Sequence, residues 1–153
     1  MSSKLDGGCA CGAVRYSIAG QPKYMGNCHC RDCQHATGSA YFPAVLVSIK
    51  EFTQHSGNVT WYESKADSGQ TMQRAFCPQC GSPLFLRNPA REGGMVLYAS
   101  SLDDPSVYEP SRDIYTDSAQ PWVPIEDGML NYTHQPKSQD ELNARWKAEV
   151  ITG

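Results

Sequence analysis

Seven cysteines fall in three groups along the chain: Cys9 and Cys11, then Cys28, Cys30 and Cys33, then Cys77 and Cys80. Thiols clustered this closely can converge on metal ions. Cysteines one residue apart bridge each other only with strain, and an odd total leaves one thiol over, so a disulfide framework suits the pattern poorly. Thiolate metal sites are the stronger reading. The step from Cys77 to Cys80 runs through Pro78 and Gln79 to Gly81, where proline and glycine favour a tight turn that aims both sulfurs at one point. A closed structural zinc takes four thiolates at about 2.3 Å, whereas a catalytic zinc keeps three protein ligands and an open position. Seven divides as four plus three. Spacing alone does not say which pairs share the closed site. A second closed site completed by His29, His35 or another side chain, a thiol cluster without metal, and iron in place of zinc are all compatible with it.

The elements that must position these thiols read as mostly β. Val14, Tyr16 and Ile18 alternate with Arg15 and Ser17, the two-residue period of a strand with one buried face. Further strands are predicted at Tyr41 to Ile49, Val59 to Tyr62, Met72 to Phe76, Pro83 to Leu86 and Met95 to Ala99. Ser56, Gly57 and Asn58, Ser68 and Gly69, and Gly93 and Gly94 separate them. Arg31 to Thr37 forms one or two helical turns closed by Gly38, so the middle cysteines sit where loop becomes helix and exposed amides favour thiolate. The stretch from Pro105 to Pro136 carries five prolines and is expected to wrap the β core as extended chain, anchored by Trp122. Beyond it, Ser138 and Glu141 form a capping box, and Leu142, Trp146 and Val150 share one face of an amphipathic helix expected to dock on its own domain.

The 153 residues fit one domain, expected over 5–125, followed by a C-terminal extension over 126–153 that packs on it. A net charge of -3 and a pI near 5.7 argue against nucleic acid or acidic lipid as partners, since both need clustered positive charge. Residues 1–8 hold no apolar stretch to serve as a signal peptide, and the longest aliphatic run, Ala44 to Val47, cannot span a bilayer. A cytoplasmic protein with reduced thiols is the expectation.

Gly8 to Tyr16, Cys28 to Cys33 with Gly38 and Ser39, Phe76 to Gly81, and Ser101 to Pro105 together resemble the glutathione-dependent formaldehyde-activating enzyme family. The resemblance extends from about Gly7 to Trp122 and reaches centromere protein V. It implies a small zinc-stabilised β-tent of short antiparallel strands, with Cys9, Cys11, Cys77 and Cys80 around a structural zinc. Cys28, Cys30 and Cys33 then hold a second, functional zinc. The implied reaction joins glutathione to formaldehyde as S-hydroxymethylglutathione, formally a carbon-sulfur lyase activity. The chemistry of the donor set agrees: three thiolates make zinc a poor activator of water and a better holder of an incoming thiol. A noncatalytic zinc module that binds a partner is the alternative, though this chain lacks a basic extension.

Other polar residues carry weaker signals. Arg31, Arg74 or Lys23 suit a glutathione carboxylate, or are solvated surface charges. His29 lies between two ligands, placed to touch substrate or to orient the loop through a backbone hydrogen bond. Asp103 and Asp104 beside Pro105 are expected to organise a turn, and His55 and His134 read as loop residues.

Overall fold

The computed structural model describes residues 4–134. Among the described residues, eleven strands are arranged in two sheets, with one short α-helix. The small sheet has the order β1-β2-β5 and holds β1 (Leu5–Gly8), β2 (Arg15–Ile18) and β5 (Phe52–Ser56), all antiparallel. The large sheet runs β11-β10-β3-β4-β9-β8-β7-β6. Its members are β3 (Tyr24–Cys28), β4 (Phe42–Ser48), β6 (Thr60–Lys65), β7 (Thr71–Phe76), β8 (Pro83–Arg87), β9 (Gly94–Tyr98), β10 (Arg112–Ile114) and β11 (Leu130–Tyr132). Helix α1 (Arg31–Thr37) follows β3 directly, and Gly38 in the left-handed region closes it as the sequence predicts.

Both faces of the large sheet are used, which explains why β4 reads Phe-Pro-Ala-Val-Leu-Val-Ser without polar alternation. Val45, Val47, Phe85, Met95 and Leu97 point to one face, where they form the main core with Tyr16 and Ile18 of the small sheet and with Val14 just before β2. Tyr16 stacks on Phe52 at 5.5 Å and meets Phe85 edge-on at 6.0 Å, while its hydroxyl bonds Ser101 Oγ at 2.6 Å. The other face of the same strands carries Phe42, Ala44, Leu46, Leu86 and Val96. Cross-strand register places Tyr24, Leu46, Val96, Leu86 and Arg74 in one row across five strands. That row lies along a cleft of about 650 Å³.

The six strands predicted from alternation are all present, five of them within a residue of their expected ends; the strand expected at Val59 to Tyr62 extends three residues further, to Lys65. Five others are not visible in that pattern. β10 corrects the expectation for the proline-dense segment, which does not merely wrap the core: Arg112–Ile114 inserts into the large sheet beside β3. Nor are all strands antiparallel, because β10 runs parallel to both β3 and β11. Trp122 is no anchor, being 71% exposed. His55 lies in β5 and bonds Ser17 Oγ at 2.7 Å, so it is not a loop residue. The predicted helix with Leu142, Trp146 and Val150 falls outside the described residues.

Burial pushes the Tyr16 and Tyr98 hydroxyls up from 10.0 to about 12. The folded chain therefore retains protons that the unfolded chain releases above pH 10, so stability is unaffected below pH 10 and falls as pH rises toward 12. Each tyrosine should contribute a slope of about 1.4 kcal/mol per pH unit in that window. Urea unfolding of wild type and Tyr16→Phe between pH 9 and 11 measures it; equal slopes would contradict the burial argument.

Candidate metal centre

Two thiol clusters form, and they combine the cysteines as four and three. Sulfurs of Cys9, Cys11, Cys77 and Cys80 all lie within 4.8 Å of one another, as do those of Cys28, Cys30 and Cys33. None of the seven is bridged. In the first cluster the Cys9 and Cys11 sulfurs are 3.5 Å apart and those of Cys11 and Cys77 3.8 Å. A tetrahedron with metal-sulfur bonds of about 2.3 Å has edges of roughly 3.8 Å, close to these two separations, so the four sulfurs could hold a zinc ion.

Local structure explains each convergence. Cys9 and Cys11 lie in the β1–β2 connection of the small sheet, and Cys77 and Cys80 in the β7–β8 connection of the large one. The second turn closes through Gly81 N–H to Cys77 C=O at 2.8 Å, with Gly81 at φ 75°, a conformation in which a side chain would be strained. Ala10 N–H donates to Ser82 Oγ at 3.0 Å, joining the two turns directly. Hydrogen bonds from the Ser82 hydroxyl and backbone hold the exposed Cys80 thiol down at about 5. Its neighbour Cys11 is pushed up to about 11: the Ala13 backbone lowers it, but the Cys9 sulfur and the other thiols outweigh that.

In the second cluster Cys28 ends β3, Cys30 caps α1 and Cys33 lies in its first turn. Cys30 Sγ accepts from Cys33 N–H at 3.3 Å. Hydrogen bonds from the Cys28 and Cys33 thiols bring Cys30 down to about 3. Cys33 is pushed up to about 12, because the effects of Cys30 and of burial outweigh the lowering by Cys28. Cys28 is pushed far up, by Cys30 and Cys33 first and burial after them. With only protons to share, the cluster thus settles as one thiolate and two thiols, an arrangement that a cation would convert to three thiolates.

Cys28, Cys30 and Cys33 all line the cleft, so this cluster opens onto space that a small molecule can enter. Arg74 and Lys23 line it too; Arg74 donates to Ser64 Oγ at 3.0 Å, and its charge favours the thiolate forms of Cys30 and Cys33. Arg31 does not line it: it turns along α1 to Gln34 and His35. Asp104 caps a 3-10 turn through Ser106 N–H at 3.0 Å, the turn role expected of it, while Asp103 instead pairs with Arg15 through both carboxylate oxygens. His134 follows β11 and faces the Tyr115 ring edge-on at 6.4 Å.

His29 neither faces the cleft nor binds backbone through its ring. Strand alternation turns it to the opposite side from Cys28, where Nε2 donates to Asp113 Oδ1 at 2.6 Å with both side chains about 2% exposed. Asn27 donates to the same oxygen at 3.2 Å and accepts from the Tyr108 hydroxyl at 2.8 Å. The buried Gln34 amide adds bonds to His29 C=O at 2.7 Å and Ser118 C=O at 2.9 Å. Sequence reasoning missed Asp113 and Gln34. Asp113 stands between Arg112 and Ile114 with Ser111 before them, a sequence context that carries no signal of burial.

Residues 4–118 match the family described as glutathione-dependent formaldehyde-activating enzyme. The chain belongs to this family. A Halomonas elongata protein named "Putative glutathione-dependent formaldehyde-activating enzyme" is 28% identical over 154 residues, covering 95% of this chain and 96% of the relative. A crystal structure of a Rhodobacter sphaeroides protein superposes with a TM-score of 0.50 at 16% identity, covering 83% of this chain and 98% of that one. The latter likeness is one of fold. Among the described residues no helix is long and apolar enough to cross a membrane.

Two measurements probe the site. Native mass spectrometry of reduced protein should find two zinc ions in wild type and one in Cys30→Ala with the fold kept, whereas Cys80→Ala should fold poorly; equal metal content in wild type and Cys30→Ala would contradict a second site. Asp113→Ala orphans the buried donors of His29 and Asn27 and should cost about 1–3 kcal/mol for each in chemical unfolding. A change below 0.5 kcal/mol, about the size of a surface substitution, would remove the network from any structural role.

Proposed function

We propose that Cys9, Cys11, Cys77 and Cys80 hold a structural zinc, that Cys28, Cys30 and Cys33 hold a second zinc with one open position, and that the protein joins glutathione to formaldehyde. The observation that carries this reading is the three-thiol cluster at the wall of a cleft with a guanidinium nearby, in a chain of this family. When bound, the second zinc supplies stabilisation of an incoming thiol as thiolate near neutral pH, where a free thiol of pKa about 8.5 stays mostly protonated.

The chain's own residues supply the rest. Cys28 is fixed by strand register, Cys30 and Cys33 by the helix cap, so the donor triangle is set before substrate arrives. Arg74 provides positive charge within the cleft for a glutathione carboxylate, and bidentate geometry would suit it. The apolar floor of Phe42, Leu46 and Leu86 limits the water around the reacting atoms. In the reaction the glutathione sulfur adds to the aldehyde carbon: a carbon-sulfur bond forms, the carbonyl π bond opens, and the thiol proton ends on the new hydroxyl oxygen. The reverse direction is the lyase reaction, and a cytoplasmic location accords with reduced thiols.

Exchange NMR between free glutathione and S-hydroxymethylglutathione tests the activity. Wild type should accelerate the exchange, Cys30→Ser should abolish the acceleration, and Arg74→Met should weaken glutathione binding roughly 10-fold or more, as expected for loss of a charge-assisted hydrogen bond. Glutathione at 100 times its dissociation constant should also raise stability by about 2.7 kcal/mol. No acceleration and no stabilisation at millimolar glutathione would leave the noncatalytic module as the better account.

A further inference from the structure

The cleft is ordered in a way that glutathione and a one-carbon aldehyde do not use. At one wall stand the three sulfurs. Next come Leu46 and Val96, direct neighbours across β4 and β9, and Met72 on β7, all three partly exposed to the cleft. Beyond them the rim is polar, with Lys23, Asp67, Gln70, Asn88 and Arg91 contributed by the start of β3 and by the β6–β7 and β8–β9 connections. From Cys28 back to Tyr24, four residues along β3, the wall extends about 13 Å. Glutathione carries amides on the carbon next to its thiol-bearing CH₂, so a molecule whose sulfur sits at the three-cysteine cluster offers this stretch no apolar group larger than the two CH₂ units of its γ-glutamyl arm. Formaldehyde adds a single carbon. The apolar middle of the cleft therefore has no counterpart in that pair.

We infer that this site also takes an aldehyde with an apolar chain of several carbons, which lies over Leu46, Met72 and Val96 toward the polar rim. The inference rests on the glutathione reading above and extends the second reactant beyond formaldehyde. The step balances as before: the thiol sulfur bonds to the carbonyl carbon, the π electrons go to oxygen, and the thiol proton joins them, giving a hemithioacetal with no other reactant. The chain takes no part in the chemistry. It gains binding energy from desolvating the sheet surface, at about fourfold in affinity for each CH₂ fully buried.

S-alkylglutathiones test this, since their thioether chains stand where the aldehyde chain would. Calorimetric titration of the zinc-loaded protein with S-methyl-, S-butyl- and S-hexylglutathione should give affinity that rises with chain length, with S-hexyl at least tenfold tighter than S-methyl. Leu46→Gln and Met72→Gln, on separate strands, should each reduce that ratio several-fold. Equal affinity for S-methyl- and S-hexylglutathione, with glutathione still bound, would overturn the inference and leave the glutathione reading intact. A chain-length gain that both variants keep would also overturn it, by locating the chain elsewhere. Failure of glutathione and all three derivatives to bind would overturn both.

Discussion

Seven sulfurs drawn into two groups, each within 4.8 Å, make a demand that the rest of the fold has to meet. Two thiolates about 4 Å apart repel by roughly 4 kcal/mol at an effective dielectric of 20, and S–H groups are weak hydrogen-bond donors. Protons alone therefore hold such groups together poorly, as the division of Cys28, Cys30 and Cys33 into one thiolate and two thiols illustrates. A divalent cation reverses the sign of the problem. Structural zinc sites in small peptides contribute on the order of 10 kcal/mol to folding, and here the first cluster would join turns 66 residues apart, from Cys11 to Cys77. Those turns belong to different sheets. Such a clamp would add to the apolar core between the sheets a tie that the core's non-directional contacts do not provide.

The second cluster depends on register more than on chain closure. Side chains on β3 alternate, so Gly26 and Cys28 face the cleft while Asn27 and the following His29 face away. A slip of one residue would exchange them. What opposes a slip is the buried set behind the strand: Asp113 accepts from both Asn27 and His29, and His29 N–H bonds Ile114 C=O at 3.0 Å. β10 is only three residues long, yet it carries the acceptor that makes one register better than the other. This gives a physical reason for a histidine between two cysteines of the cluster that does not require it to touch substrate or metal.

These contrasts explain what could be read from the sequence. The cysteine pairs were legible because CxC and CxxC spacing constrains sulfur directions locally, and the resemblance implied the same partition that the sulfur positions display. Strands such as Met72 to Phe76 and helix α1 announced themselves through apolar spacing or a closing glycine. β3 did not, since Tyr-Met-Gly-Asn-Cys places a glycine and an amide on buried positions that only tertiary partners justify. β10 was hidden for the same reason: Arg112 and Asp113 look solvent-directed, but Arg112 is 1% exposed with its guanidinium 4.7 Å from the Tyr24 ring. Proline density was given too much weight, because a three-residue strand needs few backbone donors. Trp122 was misjudged by the rule that large aromatics anchor, which holds only where an apolar surface lies opposite.

The unequal clusters also bear on where reactivity belongs. In the first, four sulfurs lie within 4.8 Å of one another, and a tetrahedral metal held by all four would have no position left for a reactant. The second brings three sulfurs together at the wall of a cleft whose floor is the reverse side of the sheet that builds the main core. The same strands therefore do two things: Val45, Val47 and Leu97 bury against the small sheet, while Ala44, Leu46 and Val96, their sequence neighbours, line the cleft onto which the three sulfurs open. Stability and access are separated by the two-residue period of a strand. For that reason a change on the cleft face can alter what binds without removing the core on which both clusters are built.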